Sequence, residues 1–194
     1  MARGSRQCAG ARDVGLLLLR AGVGGALIAH GAQKLFGWFG GGGIEGTATF
    51  LGSAGFEPAK LNATLAGVGE AGSGALLTLG LGTGPAAAAA SATMVTASAV
   101  NAHNGFFATN GGLELPATYG LVASVLALTG PGRISLDHAT GHVLSGRTLT
   151  WLAYLGAAGG VAYTLWSRQR TLADRAAEAA SDSADKGAEK NGDS

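Results

Sequence analysis

The chain has 194 residues, of which 47% are hydrophobic and 13% are charged, and its formal net charge is +1. An average soluble domain carries about 25% charged residues, so this composition favours a membrane protein with a lipid bilayer as its main partner. No nucleic-acid partner is expected. The 35 glycines are more than twice the usual share of about 7%, and they lie within apolar runs, which favours close helix packing over disorder. The single Cys8 excludes an internal disulfide.

The basic leader, residues 1–13, precedes the first apolar segment. Its Arg3, Arg6 and Arg12 resemble the basic start of a signal peptide. Arg20 interrupts the apolar core, however, and further apolar segments follow. We therefore expect a retained helix, and positive-inside counting favours a cytoplasmic leader.

Five apolar segments are long enough to cross a hydrocarbon layer, which needs about 20 helical residues. They are Val14–Gln33, Leu61–Leu81, Pro85–Ala102, Leu113–Thr129 and Leu149–Trp166. The third segment is mostly Ala, Ser and Thr, which gain little from lipid, so its neighbours must wrap it. Aromatic residues at both ends of the fifth segment are typical of interfacial anchors. The sequence thus predicts an all-α, polytopic membrane helix bundle.

The remaining segments are polar. Between the first two apolar runs lies a glycine-rich stretch that predicts a lid or a short interfacial helix around Gly46–Leu51. Residues 139–167 form a linker and the fifth segment. Residues 168–194 have low hydrophobicity and predict a disordered or partly helical tail. Its basic residues conflict with the positive-inside rule if five segments span, so the side that bears the tail is left open.

One face of the first segment is polar. Arg20, Gly24, Gly31 and Lys34 fall within about 80° of arc on a helix, with His30 close beside them. A charge within a membrane span costs from a few to more than ten kcal/mol unless it faces protein, water or an opposite charge. We therefore expect this face to look into the bundle.

Successive membrane-spanning helices run in opposite directions, which places several polar side chains near one membrane surface. They are His30, Lys34, Asn101, His103 and Glu114. Glu70 lies about 13 Å below that surface by helical rise, and the height of Arg20 differs by less than about 10 Å. We therefore predict a buried Arg20–Glu70 pair, whose role is structural or functional with equal weight.

Other interpretations of the polar residues are simpler. Lys34 would reach the headgroups by snorkelling, and each histidine would serve as a single hydrogen-bonding residue. No metal site is expected, because the paired Glu-x-x-His spacing of di-iron bundles does not occur. The glycine run Gly40–Gly43 lacks the Gly-Lys-Ser/Thr signature of a nucleotide loop. No catalytic residue can be assigned.

The order of these motifs is similar to that of a known family. The resemblance rests on Arg20, Gly31, Lys34 and Leu35, then Gly67–Glu70, then Asn101–Phe107 with Gly112 and Glu114, then Gly130-Pro131-Gly132. This pattern resembles the DoxX family of small bacterial membrane proteins over residues 14–138. The resemblance implies a four-helix core in the cell inner (plasma) membrane, to which the fifth segment is an addition. It also implies a link to redox metabolism, through relatives that are subunits of a thiosulfate:quinone oxidoreductase or membrane partners of antioxidant enzymes.

Two functional classes follow, with a weaker third. In the first, a redox-associated subunit binds a quinone head group, with His30, Lys34 or His103 donating hydrogen bonds and Glu70 or Glu114 exchanging protons. In the second, a non-catalytic scaffold recruits a soluble redox or antioxidant enzyme. A small-solute transporter is the third. The sequence has no cysteine pair, haem ligand set or flavin motif, so a bound cofactor or a partner would have to supply electrons. Enzymatic activity and oligomeric state are left open.

Overall fold

A computed structural model describes the backbone of residues 2–192 and the side chains of residues 10–184. All regular structure in this part of the chain is helical. The helices are α1 (Ala2–Phe36), α2 (Gly43–Ser53), α3 (Ala59–Leu79), α4 (Thr83–Asn101), α5 (Glu114–Thr129), α6 (Leu136–Ala139) and α7 (Arg147–Gly192). Single 3-10 turns lie at Trp38–Gly40, Ala102–Asn104 and Ala108–Asn110. The five predicted apolar segments fall on α1, α3, α4, α5 and α7, and α2 provides the predicted short helix.

Glycines bring α1 and α3 into close contact. A Cβ atom on Gly24 would lie 2.5 Å from the carbonyl oxygen of Gly74, and one on Gly31 would lie 2.7 Å from that of Gly67. Real Cβ atoms do not approach a backbone so closely, so no larger residue fits without separating the helices. The polar face predicted for the first segment therefore packs against α3 inside the bundle.

Helix α4 lies at the centre of the molecule. It packs against α3, α5 and α7, and nine of its residues are buried. Small side chains allow this packing: a Cβ on Gly69 of α3 would lie 2.7 Å from Thr93, and one on Gly84 would lie 1.9 Å from Thr150 of α7. The alanine-rich segment is thus wrapped by its neighbours, as its composition predicts.

Three charged side chains are buried in the bundle, whereas many large apolar side chains lie on its surface. Arg20, Glu70 and Asp137 are buried, whereas Leu18 is 67% and Leu128 is 81% exposed. Among the described residues, one helix qualifies as a membrane span by length and hydropathy, at Gly10–Phe36, and only 28% of its apolar window is buried. Helix α5 is a shorter apolar helix. Large exposed apolar surfaces of this kind mark a membrane or a protein interface.

Helix α7 is much longer than the fifth apolar segment. Its 46 residues extend about 69 Å, more than twice the thickness of a hydrocarbon layer of about 30 Å. The predicted boundary at residue 168 is therefore not a break in structure, and the tail continues as a helix to Gly192. Alanine, glutamate and arginine favour helix in this segment. Arg168 and Arg175 also fix α7 to the α2–α3 connection, where they donate hydrogen bonds to the carbonyl oxygens of Ala54 (2.8 Å) and Gly52 (2.9 Å).

Candidate functional site

A buried ion pair joins α1 and α3. The Nζ atom of Lys34 lies 2.6 Å from Oε2 of Glu70, and the two side chains are 30% and 3% exposed. Lys34 lies in the last turn of α1, whereas Glu70 lies about 16 Å along α3 from its first residue. The contact of Gly31 with Gly67 holds the helices close enough for Lys34 to reach back to the carboxylate. The pair leaves no net charge at this point of the bundle.

The predicted Arg20–Glu70 pair is wrong. Arg20 is fully buried, but its Nη2 donates a hydrogen bond to the carbonyl oxygen of Ile134, and the nearest stabilising charge is Asp137. Arg20 and Lys34 share one face of α1 but lie 14 residues apart, which is about 21 Å along the helix axis. The glycine contacts set the alignment of α1 with α3 and bring Lys34, not Arg20, to Glu70.

Two cavities meet at the ion pair. The first has a volume of about 410 Å³ and lies between α2, α3, α4 and α7. The second has a volume of about 210 Å³ and lies between α1, α3, α4, α5 and the connection from α4 to α5. Four residues line both cavities: Lys34, Glu70, Ala97 and Asn101. The ion pair therefore forms a shared wall between them.

The first cavity is predominantly apolar. Phe50 and Phe56 bound it from the side of α2, and Ala157 and Val161 bound it on α7. Its polar lining, apart from the ion pair, consists of the hydroxyl and amide groups of Asn62, Thr47, Thr93, Thr96, Asn101 and Thr164. Its volume falls within the range of about 300–1,000 Å³ that is usual for small-molecule sites. An apolar slot with a few hydrogen-bonding groups suits an amphipathic ring.

Two other predicted residues remain at the site. His30 lines the second cavity, where its Nδ1 lies 3.1 Å from Oε1 of Gln33 and its ring lies 6.0 Å from that of Tyr119. Asn101 ends α4 and lines both cavities. The sequence analysis missed Tyr119, which lies inside the fourth apolar segment next to Thr118 with no charged residue beside it.

The structure does not bring His103 and Glu114 to this site. His103 lies in an exposed 3-10 turn, with Nδ1 2.8 Å from the carbonyl oxygen of Val100. Glu114 begins α5, and its Oε2 accepts a hydrogen bond from the backbone N–H of Ala108 at 2.9 Å. The change from α-helix to 3-10 turn after Asn101 carries His103 to the surface. Within the described side chains, no group of three His, Cys, Asp or Glu residues is placed to hold a metal ion.

Asp137 forms a second buried polar cluster at the opposite end of the bundle. Its Oδ1 accepts a hydrogen bond from the N–H of Gly82 (2.8 Å) and its Oδ2 from that of Thr83 (2.9 Å), so it caps α4. It also lies near the charge of Arg20. The sequence analysis missed this residue, although it is the sole acid between the fourth and fifth apolar segments. That connection lies at the same end of the bundle as Arg20.

The chain matches one known family. The family model described as DoxX matches residues 15–104, which span most of α1 and all of α2 to α4. Both Lys34 and Glu70 fall within the match, whereas α5, Asp137 and α7 fall outside it. No significantly similar curated protein or solved structure was found. The resemblance to the DoxX family is thus confirmed over residues 15–104, a shorter stretch than the predicted residues 14–138.

Proposed function

We propose that this chain is a multi-pass protein of the bacterial inner membrane, in which α1, α3, α4, α5 and α7 cross the bilayer. The arrangement of exposed leucines around buried Arg20, Glu70 and Asp137 supports this proposal, because lipid is the solvent that such a surface requires. Helices α3 and α4 have lower hydropathy because they are rich in glycine, alanine and threonine. Those residues serve helix packing, and neighbours shield α4 from lipid.

We further propose that the bundle binds the head group of a quinone in the first cavity. One observation carries this proposal: a buried Lys34–Glu70 pair closes a cavity whose other walls are mostly apolar. Quinone carbonyl oxygens accept hydrogen bonds, which Lys34 and Asn101 can donate. The hydroxyl groups of a hydroquinone donate, and Glu70 can accept.

The position of the cavity also suits a lipid-soluble ligand. Helices α3 and α7 both pack against α4 but have little contact with each other, and the cavity lies in the gap between them. Leu65 of α3 and Phe50 of α2 line the cavity and are also more than half exposed. A ligand dissolved in the bilayer would enter through the gap between α3 and α7.

A redox-associated subunit, rather than a self-sufficient enzyme, fits the composition of the chain. The sequence contains one cysteine and no haem or flavin motif, so electrons would pass between the quinone and a partner protein. The chain's own residues would bind and orient the ring and exchange protons with it.

A membrane scaffold is the second candidate function. It is favoured by the length of α7, which continues beyond Arg175 as a helix whose side chains are exposed as far as Ala184. The contact between Arg175 and Glu57 (2.9 Å) fixes the direction of this extension relative to α2 and α3. A soluble redox or antioxidant enzyme could bind the extension without any ligand in the cavities.

Purification from native membranes separates these functions. Bound quinone is extracted from the wild type and from Lys34→Met and Glu70→Gln variants, and co-purifying proteins are identified. The matched controls are Lys60→Met and Glu45→Gln, which remove an exposed ion pair of 2.5 Å at the same end of the bundle. We expect the wild type and the controls to retain quinone and the two site variants to lose it. If the wild type carries no quinone while a soluble enzyme co-purifies with every variant, the scaffold function stands instead.

A further inference from the structure

The two cavities open toward different surroundings. The rim of the first cavity includes Leu65 and Phe50, which are apolar and exposed on the side of the bundle. The second cavity reaches the connection between α4 and α5 at the end of the bundle, where Ala108, Gly111 and Gly112 line it. In that connection, the exposed side chains are polar at Asn104, Thr109 and Asn110 and aromatic at Phe106 and Phe107. The second rim therefore carries exposed polar groups that can meet water, which Leu65 and Phe50 at the first rim do not offer.

Polar and titratable groups line the second cavity from its rim to the ion pair. Helix α1 contributes His30 and Lys34, α3 contributes Glu70, and α5 contributes Tyr119. Helix α4 contributes Asn101 as its polar group. Glu70 itself is almost completely buried, and both cavities reach it. The first cavity is occupied by the quinone in the function proposed above.

We propose that the second cavity is a water-filled passage that carries protons between the aqueous surface and the Lys34–Glu70 pair. Reduction of a quinone to a hydroquinone takes up two protons together with two electrons from a redox partner protein, and oxidation releases both. The electrons need no aqueous route, but the protons do. The passage lets the ring stay in the apolar cavity while its protons enter and leave on the other side of the ion pair.

His30 is the residue of this passage best suited to transfer protons. Its ring lines the second cavity together with the ion pair, and a neutral imidazole both donates and accepts. The contact of 3.1 Å with Gln33 orients the ring, and Tyr119 packs beside it. This role rests on the proposed function, whereas the water-filled state of the cavity does not depend on any ligand.

Cysteine accessibility tests the passage directly. In a Cys8→Ala background, single cysteines replace Met94, which lines the second cavity alone, and Thr93, which lines the first alone. These adjacent positions lie at the same depth in α4. A third cysteine at Ala90, a fully buried residue that lines neither cavity, gives the background. Native membranes are treated with a charged, membrane-impermeant thiol reagent and separately with a lipophilic maleimide.

We expect the charged reagent to modify Met94→Cys and to leave Thr93→Cys and Ala90→Cys unmodified, while the lipophilic reagent modifies Thr93→Cys. Tyr119→Cys provides a second position in the passage if the Met94 variant does not fold, as judged by gel filtration in detergent. The passage would be overturned if the charged reagent does not modify a folded Met94→Cys or Tyr119→Cys variant. It would also be overturned if that reagent modifies Thr93→Cys as strongly as Met94→Cys. If the purified wild type carries no quinone, the proposed function is overturned, but this labelling pattern is unchanged. The two failures are therefore distinguishable.

Discussion

The change Lys34→Met should destabilise the protein more than any change to an exposed ion pair. Methionine keeps the length of the side chain and removes its charge. The carboxylate of Glu70, which is 3% exposed, then loses the cation that offsets the cost of its burial. Removing one partner of a buried pair typically costs about 3–5 kcal/mol. The small exposure of Glu70 places this change in that range.

The reverse change should cost less, because the two partners are buried to different extents. In Glu70→Gln the remaining charge belongs to Lys34, which is 30% exposed and has a flexible stem that can reach water. The double variant Lys34→Met with Glu70→Gln leaves no buried charge and should recover part of the loss. The exposed pair of Lys60 with Glu45 is the reference, because pairs of that kind contribute about 0–1 kcal/mol.

The assay is reversible unfolding of the detergent-solubilised protein, followed by helical circular dichroism against an increasing fraction of denaturing detergent. The wild type, the two single variants and the double variant complete the double-mutant cycle at Lys34 and Glu70, and Lys60→Met is measured beside them. If Lys34→Met is no more destabilising than Lys60→Met, or if the double variant is simply additive, then the buried pair does not exist in solution.

Three further predictions concern packing, capping and topology. Gly31→Ala would place a Cβ atom 2.6 Å from the backbone nitrogen of Ala71 and should lower the free energy of unfolding by about 1–3 kcal/mol. The control Gly25→Ala meets no atom within 4 Å and should be neutral. The same denaturation assay measures both variants, and equal effects would contradict the packing of α1 on α3. Asp137→Asn removes a charged acceptor from the N-terminus of α4 and should lower the melting temperature through a loss of about 1.5–3 kcal/mol, so an unchanged melting temperature would contradict the cap. Reporters fused after residues 11 and 140 should both label as cytoplasmic, because the four spans proposed in α1, α3, α4 and α5 lie between the two positions and the basic leader favours the cytoplasm; labelling on opposite sides would remove a span.

The sequence predicted the helices well because apolar runs and turn residues are local signals. Each predicted segment falls on one helix and extends beyond it by at most two residues, and the polar face of the first segment does pack inside the bundle. The partner of Glu70 could not be predicted in the same way. Arg20 and Lys34 share that face, so helical phase alone cannot choose between them. The choice depends on the axial alignment of α1 with α3, which the contacts of Gly24 and Gly31 determine.

The prediction of the site was incomplete for a related reason. Counting residues from a membrane surface gives the height of a side chain but not the direction in which a turn points it. His103 and Glu114 therefore shared the right height with Lys34, but a 3-10 turn and a local hydrogen bond direct them elsewhere. The contribution of α7 to the first cavity was also unpredictable, since small residues such as Gly160 carry no polar signal.

Photo-crosslinking with a quinone analogue tests most directly whether a quinone head group lies against the Lys34–Glu70 pair. Native membranes are illuminated with an azido-quinone, and the labelled peptides are identified by mass spectrometry. We predict label on the cavity-facing residues of α4 and α7, around Thr96 and Val161, and its loss in Lys34→Met but not in Lys60→Met. Equal labelling of the lipid-facing leucines Leu18 and Leu121, unchanged by Lys34→Met, would contradict the proposed site.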